Sequence, residues 1–386
     1  MKTNKILRHN FLAFLIFISL TLSLVACGQS EETKDNLTEN STPTAEEANE
    51  TKLTLNDVTL EQTSSEGKLL WRVKSKQAKY DEERQVVLVE NPEGELFQDG
   101  KSIYTIKAQK GEVYQDKNKI ILQGDIVADD LENKVLLRGR ELEWLPKENT
   151  LILRYNFTGE HEDVKGSAES AKIFTKDRRM ELYGKVVMRV TDPVINLRTE
   201  KLVWLMNEGQ FLSDRPIEID RIEDKQITSR AFADGSGFDL NSKIAILRQN
   251  AQVVFSDPPL QISSQEITWN LQEETIKSET EVTVLEKEEK IILKGNQGEG
   301  DLKKNTFEMV GNVVGIGEKN GAQLNSDRLI WYFETESFDA EGNVVYRQLD
   351  PPFNVVGSKA TGQLEGENVV VTGGGNNVVT EIFTDE

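Results

Sequence analysis

The stretch LVWLM at residues 202–206 has three relatives along the chain: LEWLP at 142–146, ITWNL at 267–271 and LIWYF at 329–333. Between 60 and 65 residues separate the successive tryptophans of these stretches, Trp144, Trp204, Trp269 and Trp331. A step of 64 residues back from Trp144 reaches Tyr80. Because self-similarity at a fixed interval marks a repeat architecture, the chain is predicted to consist of repeated units.

Polar turn signals recur at about half that interval. They are YDEERQ at 80–85, YQDKNK at 114–119, LPKENT at 145–150, FTKDRR at 174–179, LMNEGQ at 205–210, FDLNSK at 238–243, LQEET at 271–275, DLKKNT at 301–306 and YFETES at 332–337. Short alternating or apolar runs flank each signal, which is typical of β-hairpins. Beyond the N-terminal segment no stretch sustains a helical period, so the fold is predicted to be all-β.

A glycine followed by β-branched residues appears about ten residues after many of these turns. The examples are GDIV at 124–127, GKVV at 184–187, and GNVV at 311–314 and 342–345. In NAQVV, at 250–254, an asparagine takes the place of the glycine. Both residue types tolerate left-handed backbone, so a β-bulge or sharp bend is predicted at each of these positions.

Alternate residues of the tryptophan strands share one face of a sheet, and that face is apolar in three copies. Its members are Leu202, Trp204, Met206, Ile267, Trp269, Leu271, Leu329, Trp331 and Phe333. The tryptophans are therefore predicted to line one continuous apolar interior, with one layer per repeat. Packing of a core is the simplest interpretation of this pattern.

The N-terminus has the features of a bacterial lipoprotein signal. An apolar run at 11–26 follows Lys2, Lys5 and Arg8 and ends in LVAC, which places Cys27 where a lipobox requires it. Residues 1–26 are predicted to be the signal peptide, Cys27 the lipidated residue, and the polar stretch 27–52 a disordered linker. Since Cys27 is the only cysteine, an exported chain has no internal disulfide.

The charge of the chain argues against several classes of partner. Removal of residues 1–26 leaves 43 Lys and Arg against 66 Asp and Glu, which excludes nucleic acid as the expected partner. The same acidity opposes broad adhesion to an anionic membrane surface, so attachment is predicted to rest on the lipid anchor.

Candidate catalytic chemistry is sparse. The two histidines are His9, in the signal segment, and His161, in a polar loop predicted to be exposed. Glycine clusters such as GNQGEG at 295–300 precede no helix that could bind phosphate, so they are predicted to be turns. The chain is therefore predicted to be a non-enzyme with no cofactor and no metal site.

The repeat of about 30 residues, with a hairpin, GNVV and an acidic turn after an exported anchor, resembles the OstA-like jellyroll domains of lipopolysaccharide transport. Within that group it is most similar to LptC, with LptA as the soluble relative, and the resemblance covers residues 53–386. It implies a repeated antiparallel open β-jellyroll of two sheets packed as a V. It further implies that lipopolysaccharide or a related lipid occupies the apolar interior.

The resemblance implies which residues line the lipid-binding groove. They are Tyr80, Trp144, Leu202, Trp204, Met206, Ile267, Trp269, Leu271, Leu329, Trp331 and Phe333. It also implies partners that pair with exposed edge strands, namely the jellyrolls of the transporter permease and an LptA-like domain. The implied location is the periplasm, with the lipid anchor in the inner membrane favoured over the outer.

Two features depart from the LptC pattern. A lipoprotein signal replaces the usual spanning helix, and the length allows two jellyrolls, predicted at 53–214 and 215–386. Two other functions compete with lipid transport as interpretations of the sequence. One is a lipid-anchored scaffold of outer-membrane assembly that binds partners by its sheet edges. The other is a polysaccharide-cleaving parallel β-helix, for which the period and the catalytic residues are missing.

Overall fold

The computed structural model describes residues 53–114, 118–318, 321–349, 352–363, 369–373 and 379–382. These residues belong to one compact unit, Thr51–Glu386. The predictions for the signal peptide, Cys27 and the linker concern residues outside the described ranges.

The described part is an antiparallel β-structure with a single turn of 3-10 helix at Pro146–Glu148. Its 28 strands are β1 (Thr54–Thr63), β2 (Leu69–Asp81), β3 (Val86–Glu90), β4 (Glu93–Gln98), β5 (Lys101–Lys107), β6 (Lys110–Tyr114), β7 (Lys119–Asp130), β8 (Val135–Leu145), β9 (Thr150–Glu160), β10 (Val164–Phe174), β11 (Arg179–Thr191), β12 (Val194–Leu205), β13 (Gln210–Ser213), β14 (Ile217–Glu223), β15 (Gln226–Ala233), β16 (Gly235–Asp239), β17 (Ile244–Phe255), β18 (Leu260–Asn270), β19 (Thr275–Ser278), β20 (Val282–Glu286), β21 (Ile291–Gly295), β22 (Gln297–Asp301), β23 (Thr306–Gly317), β24 (Ala322–Tyr332), β25 (Ser337–Gln348), β26 (Phe353–Gln363), β27 (Val369–Thr372) and β28 (Val379–Ile382). The all-β prediction is confirmed.

The long strands pair with the strands that precede and follow them in the chain, so the sheet is a long meander. Several strands are split into two halves, and the halves together occupy the place of one strand. For example, β13 and β14 both pair with β12, one with each end of it. The predicted division at 214/215 falls between these two halves. The sheet continues across that point, and the division itself stays a prediction.

The nine predicted turns all join consecutive strands at the same rim of the sheet, which we call the A rim. Strand-end side chains such as Asp239 and Asn270 accept hydrogen bonds from turn amides at 2.9–3.1 Å. Such local acceptors favour a tight turn over continued strand. The opposite rim, the B rim, carries the other turns, for example those at 131–134 and 161–163.

The long strands bend where the glycine signals predicted bulges. Gly124, Gly184, Gly311 and Gly342 have φ of 75–80°, and the ladder shifts register at each of them. Asn250 behaves likewise with φ of 51°. At Gly124 a Cβ would also lie 2.3 Å from the Oε1 atom of Gln109. These bulge predictions are confirmed, and the extra residue turns each strand sharply.

The bends fold the sheet over on itself. A flat strand of eleven residues would separate the A and B rims by about 35 Å. Instead the ring of His161, at the B rim, lies 5.9 Å from the ring of Trp204, at the A rim. The rings of Phe255 and Trp269, from opposite rims, are 6.2 Å apart. The two halves of the strands therefore face each other across a shared interior.

The glycine cluster 295–300 is an exception to the predictions. Gly295 ends β21, and Gln297–Asp301 form β22, so the cluster continues the sheet and the turn prediction was wrong. A Cβ on Gly298 or Gly300 would lie 2.6–2.8 Å from the ring of Phe307. The glycines make room for a buried aromatic side chain.

An ionic cluster on the outer face joins β12, β14 and β15. Asp220, which is 3% exposed, accepts hydrogen bonds from Arg198 and from the Nε atom of Arg230, the latter at 2.6 Å. Burial alone would raise the pKa of Asp220, but the hydrogen bonds from both arginines outweigh it, so this pKa lies below its ordinary value. Since the folded-state pKa is depressed, the carboxylate stabilises the fold above its unfolded pKa.

We expect Asp220→Asn to lower the free energy of unfolding at pH 7 by about 1–3 kcal/mol. As pH falls from 5 to 3, the natural protein loses the contribution of Asp220 as this group protonates, whereas the variant has none to lose. Denaturant midpoints measured over this range should therefore converge at low pH. A constant difference between the two proteins at every pH would contradict the role of this carboxylate.

Candidate functional site

Cross-strand register places the four repeated tryptophans in one continuous row on the inner face. Directly opposed residues share a face, so the row can be followed from strand to strand. Its members are Tyr80, Val87, Val113, Ile120, Trp144, Leu151, Ile173, Met180, Trp204, Phe211, Phe238, Ala245, Trp269, Ile276, Gly300, Phe307, Trp331, Phe338, Gly362 and Val369. We call it the tryptophan row.

The row explains the 60–65-residue interval. Four strand-to-strand steps separate each tryptophan of the row from the next, for example Trp144 from Trp204 through Leu151, Ile173 and Met180. At about 4.8 Å per step, successive tryptophans are about 19 Å apart along the row. The repeat unit is thus two hairpins long.

The predicted groove residues are mostly core residues in this structure. Trp144, Trp204, Trp269 and Trp331 are 0–8% exposed. The residues two positions earlier in their strands, Leu202, Ile267 and Leu329, are buried, as are Leu271 and Phe333. Met206 is half-buried and packs against the same cluster. The described side chains around these residues fill the interior.

Tyr80 differs from the other members of the row. It lies in register at the start of the row, but 37% of it is exposed, and its hydroxyl contacts Gln85 Oε1 at 3.0 Å. At the A rim, Asn118 and Arg178 contact B-rim residues about three strands earlier in the chain. Among the described residues no strand stands that far before Tyr80, which accounts for its exposure, and its place in the lipid-binding groove stays a prediction.

Sequence reasoning missed Trp71, the fifth tryptophan. It lies outside the 60–65-residue interval because it occupies the B-rim half of β2. Trp71 is 7% exposed, and its Nε1 atom donates a hydrogen bond to Gln62 Oε1 at 2.6 Å. Alternation within LLWRVKS places it on the same face as Val73, which was the available signal.

The A rim and the B rim approach each other along one line, which we call the mouth. Polar side-chain contacts join the two rims there. Gln62 donates from Nε2 to Asn118 Oδ1 at 2.8 Å, and Arg178 forms an ion pair with Glu132. In each pair the A-rim residue lies about three strands after its B-rim partner, if a split strand is counted as one. These two pairs share the same offset between the rims.

Two further residues close the mouth nearer the C-terminus. The guanidinium of Arg221 donates to Glu274 Oε1 at 2.9 Å, and the Arg221 side chain is 11% exposed. His161, predicted to lie in an exposed loop, is instead half-buried against the edge of Trp204. The interior is therefore shut by side chains that can part without breaking the backbone ladder.

A cavity of about 240 Å³ lies where the interior meets the N-terminal end of the sheet. Its lining includes Leu60, Trp71, Tyr114 and Ile120, of which Ile120 belongs to the tryptophan row. This volume is slightly below the range of typical small-molecule sites. The cavity connects the packed row to the surface at this end.

The chain matches the family described as "Lipopolysaccharide-assembly, LptC-related" over residues 14–136 and 137–232, which together exceed half of its length. The chain belongs to this family. LptC-related proteins are non-enzymatic components of lipopolysaccharide transport in the periplasm, associated with the inner membrane. No curated protein matches the chain closely enough to add a more specific assignment.

The described part of this LptC-related chain has little other chemistry that could form a site. Within it, no group of three His, Cys, Asp or Glu side chains is placed to hold a metal ion. None of its helical segments is long and apolar enough to cross a membrane. The tryptophan row is thus the feature that spans most of the sheet and distinguishes its inner face.

Proposed function

We propose that the chain carries lipopolysaccharide, or a related acylated lipid, through its interior from the inner-membrane transporter towards the outer membrane. The observation that supports this proposal is the tryptophan row, an almost unbroken line of buried apolar side chains from Ile120 to Phe338. The row has nineteen steps in all, which at about 4.8 Å per step make a path of about 90 Å. An acyl chain could follow such a path without leaving apolar surroundings.

The means of attachment is part of the same proposal. Residues 1–26 serve as a signal peptide, Cys27 is acylated, and residues 27–52 tether the jellyroll to the membrane. The inner membrane is the proposed location because the source of the lipid lies there. Residues 53–214 and 215–386 then form two jellyroll units in tandem. This one chain therefore covers part of the distance between the inner and outer membranes.

Free sheet edges support the proposed partners. In the part of the chain that the structure describes, β1 pairs only with β2, and β27 and β28 pair only with β26. An unpaired edge strand offers its backbone N–H and C=O groups to another chain. The permease jellyrolls at one end and an LptA-like domain at the other are the proposed occupants.

The interior must open to admit lipid, because side chains now fill it. The mouth is the proposed route, since its closing contacts are side-chain pairs such as Arg221 with Glu274. Parting such side-chain pairs leaves the strand ladders intact, whereas opening the sheet elsewhere would break backbone hydrogen bonds between strands.

Bridging the mouth covalently tests this route. In a chain with Cys27 replaced, Arg221→Cys and Glu274→Cys are joined by a cleavable reagent long enough to span both side chains. We expect the bridged protein to take up purified lipopolysaccharide at least about tenfold less than the open form, and cleavage of the bridge to restore uptake. The Lys201 and Asp214 pair, 3.0 Å apart on the outer face, gives the matched control bridge.

The outcome separates two functions. Lipid uptake that is equal in bridged and open protein would rule out entry through the mouth. Absence of uptake in both would reject the carrier proposal. It would favour the second candidate, a lipid-anchored scaffold that binds partners by its edges, which the filled interior and the free edges also suit.

A further inference from the structure

Three tryptophans of the row bury a hydrogen-bond donor that has no partner. The Nε1 atoms of Trp144, Trp204 and Trp269 are fully shielded and make no hydrogen bond to any residue that the structure describes. By contrast, the equally buried Trp71 donates its Nε1 hydrogen to Gln62 Oε1. Among the described residues, the unpartnered donor is thus shared by three of the four tryptophans of the row and is not found at Trp71.

An unpartnered buried donor is unfavourable, because it has lost its hydrogen bonds to water and gained none in return. Packing of the apolar interior does not by itself require a ring that carries an N–H group. Phe211, Phe307 and Phe338 occupy equivalent places in the row with rings that carry no N–H group. The three indole donors thus have a partner to gain when the interior is occupied.

The chemistry of that partner is restricted by its surroundings. An indole N–H group only donates, so the partner must be an acceptor. The ring of Trp204 lies 5.4 Å from that of Phe211 and 5.9 Å from that of His161, and the ring of Trp269 lies 6.2 Å from that of Phe255, so these two donors stand mainly among aromatic rings. A phosphate or carboxylate would be costly to bury there, which leaves a neutral oxygen.

We infer that the three indole N–H groups hydrogen-bond the ester, amide or hydroxyl oxygens of acyl chains held in the interior. This inference rests on the proposed carrier function and assigns specificity within it. The donors recur about every 19 Å, so the row offers hydrogen-bond donors at regular intervals along an otherwise apolar path. The interior then distinguishes acyl linkages from plain hydrocarbon.

The test compares Trp204→Phe, Trp269→Phe and the double variant with the natural protein. The probes are a diacyl phospholipid with ester linkages and its dialkyl ether analogue, which lacks the carbonyl oxygens. We expect the natural protein to bind the ester lipid about fivefold more tightly for each donor engaged. The double variant should lose most of this preference while circular dichroism shows that it is still folded.

Trp71→Phe is the matched control, since its donor is already satisfied by Gln62. It should lower the thermal midpoint and leave the ester preference unchanged. If a phenylalanine variant does not fold, benzothienylalanine at position 204 keeps both rings and replaces the N–H group by a sulfur atom, which cannot donate a hydrogen bond.

The possible failures can be told apart. If the folded natural protein binds neither lipid and no purified lipopolysaccharide either, the carrier function is rejected together with this inference. Equal binding of ester and ether lipids, or an ester preference that survives in the double variant, would overturn the inference and leave the carrier function standing.

Discussion

Replacing Trp269 by alanine is expected to lower the free energy of unfolding by about 3–5 kcal/mol. Trp269 is 0% exposed and stands between Ala245 and Ile276 in the row, both also buried. Removal of the indole would leave a cavity lined by backbone ladders, which cannot collapse because hydrogen bonds fix the strand spacing. Denaturant unfolding followed by far-ultraviolet circular dichroism measures the loss.

Tyr80→Ala is the matched control, because Tyr80 belongs to the same row and is 37% exposed. Its expected effect is within about 0.5 kcal/mol, as for most surface positions. Similar losses at Tyr80 and Trp269 would contradict the assignment of a closed interior that begins after the first strands. A loss below about 1 kcal/mol at Trp269 would show that the interior is loosely packed around it.

Local chemistry made much of the fold predictable. Each hairpin carries its own turn residues, and each predicted bulge carries a glycine or asparagine that tolerates left-handed backbone, as at Gly184 and Asn250. The turn residues and the bulge residues both determine the backbone conformation only within a few positions of themselves, so the local sequence is enough to predict it. The alternation around Trp204 likewise identifies the inner face, because a strand has only two faces.

The stagger between the rims could not be predicted, because it depends on how far the whole sheet rolls at its bends. It decides which distant residues meet, such as Gln62 with Asn118 and Arg221 with Glu274. It also decides that Tyr80 has no covering strand among the described residues. The half-buried position of His161 has the same origin, since its neighbour Trp204 lies 43 residues away in the chain.

The glycines of 295–300 show a second limit. A glycine-rich segment was predicted to turn, yet Gly298 and Gly300 are small because Phe307 fills the space beside them. That reason is a contact with the adjacent strand β23 and is absent from the local sequence. Side-chain size in a sheet interior is set jointly by neighbours across the ladder.

The central claim is that lipid occupies the interior, and photocrosslinking measures this most directly. A photoreactive amino acid is placed at position 204, in the tryptophan row, or at Lys201 on the outer face of the same strand. Both variants are produced at equal levels in cells that make native lipopolysaccharide, and adducts are detected with an antibody to that lipid. The two positions are three residues apart and differ in the face of the sheet they occupy.

The carrier account predicts lipopolysaccharide adducts at 204 and none at 201. Because position 204 is sealed from solvent when the mouth is closed, an adduct there requires lipid inside the jellyroll. Absence of adducts at both positions in a folded, membrane-attached protein would contradict the account, and so would adducts at 201 alone.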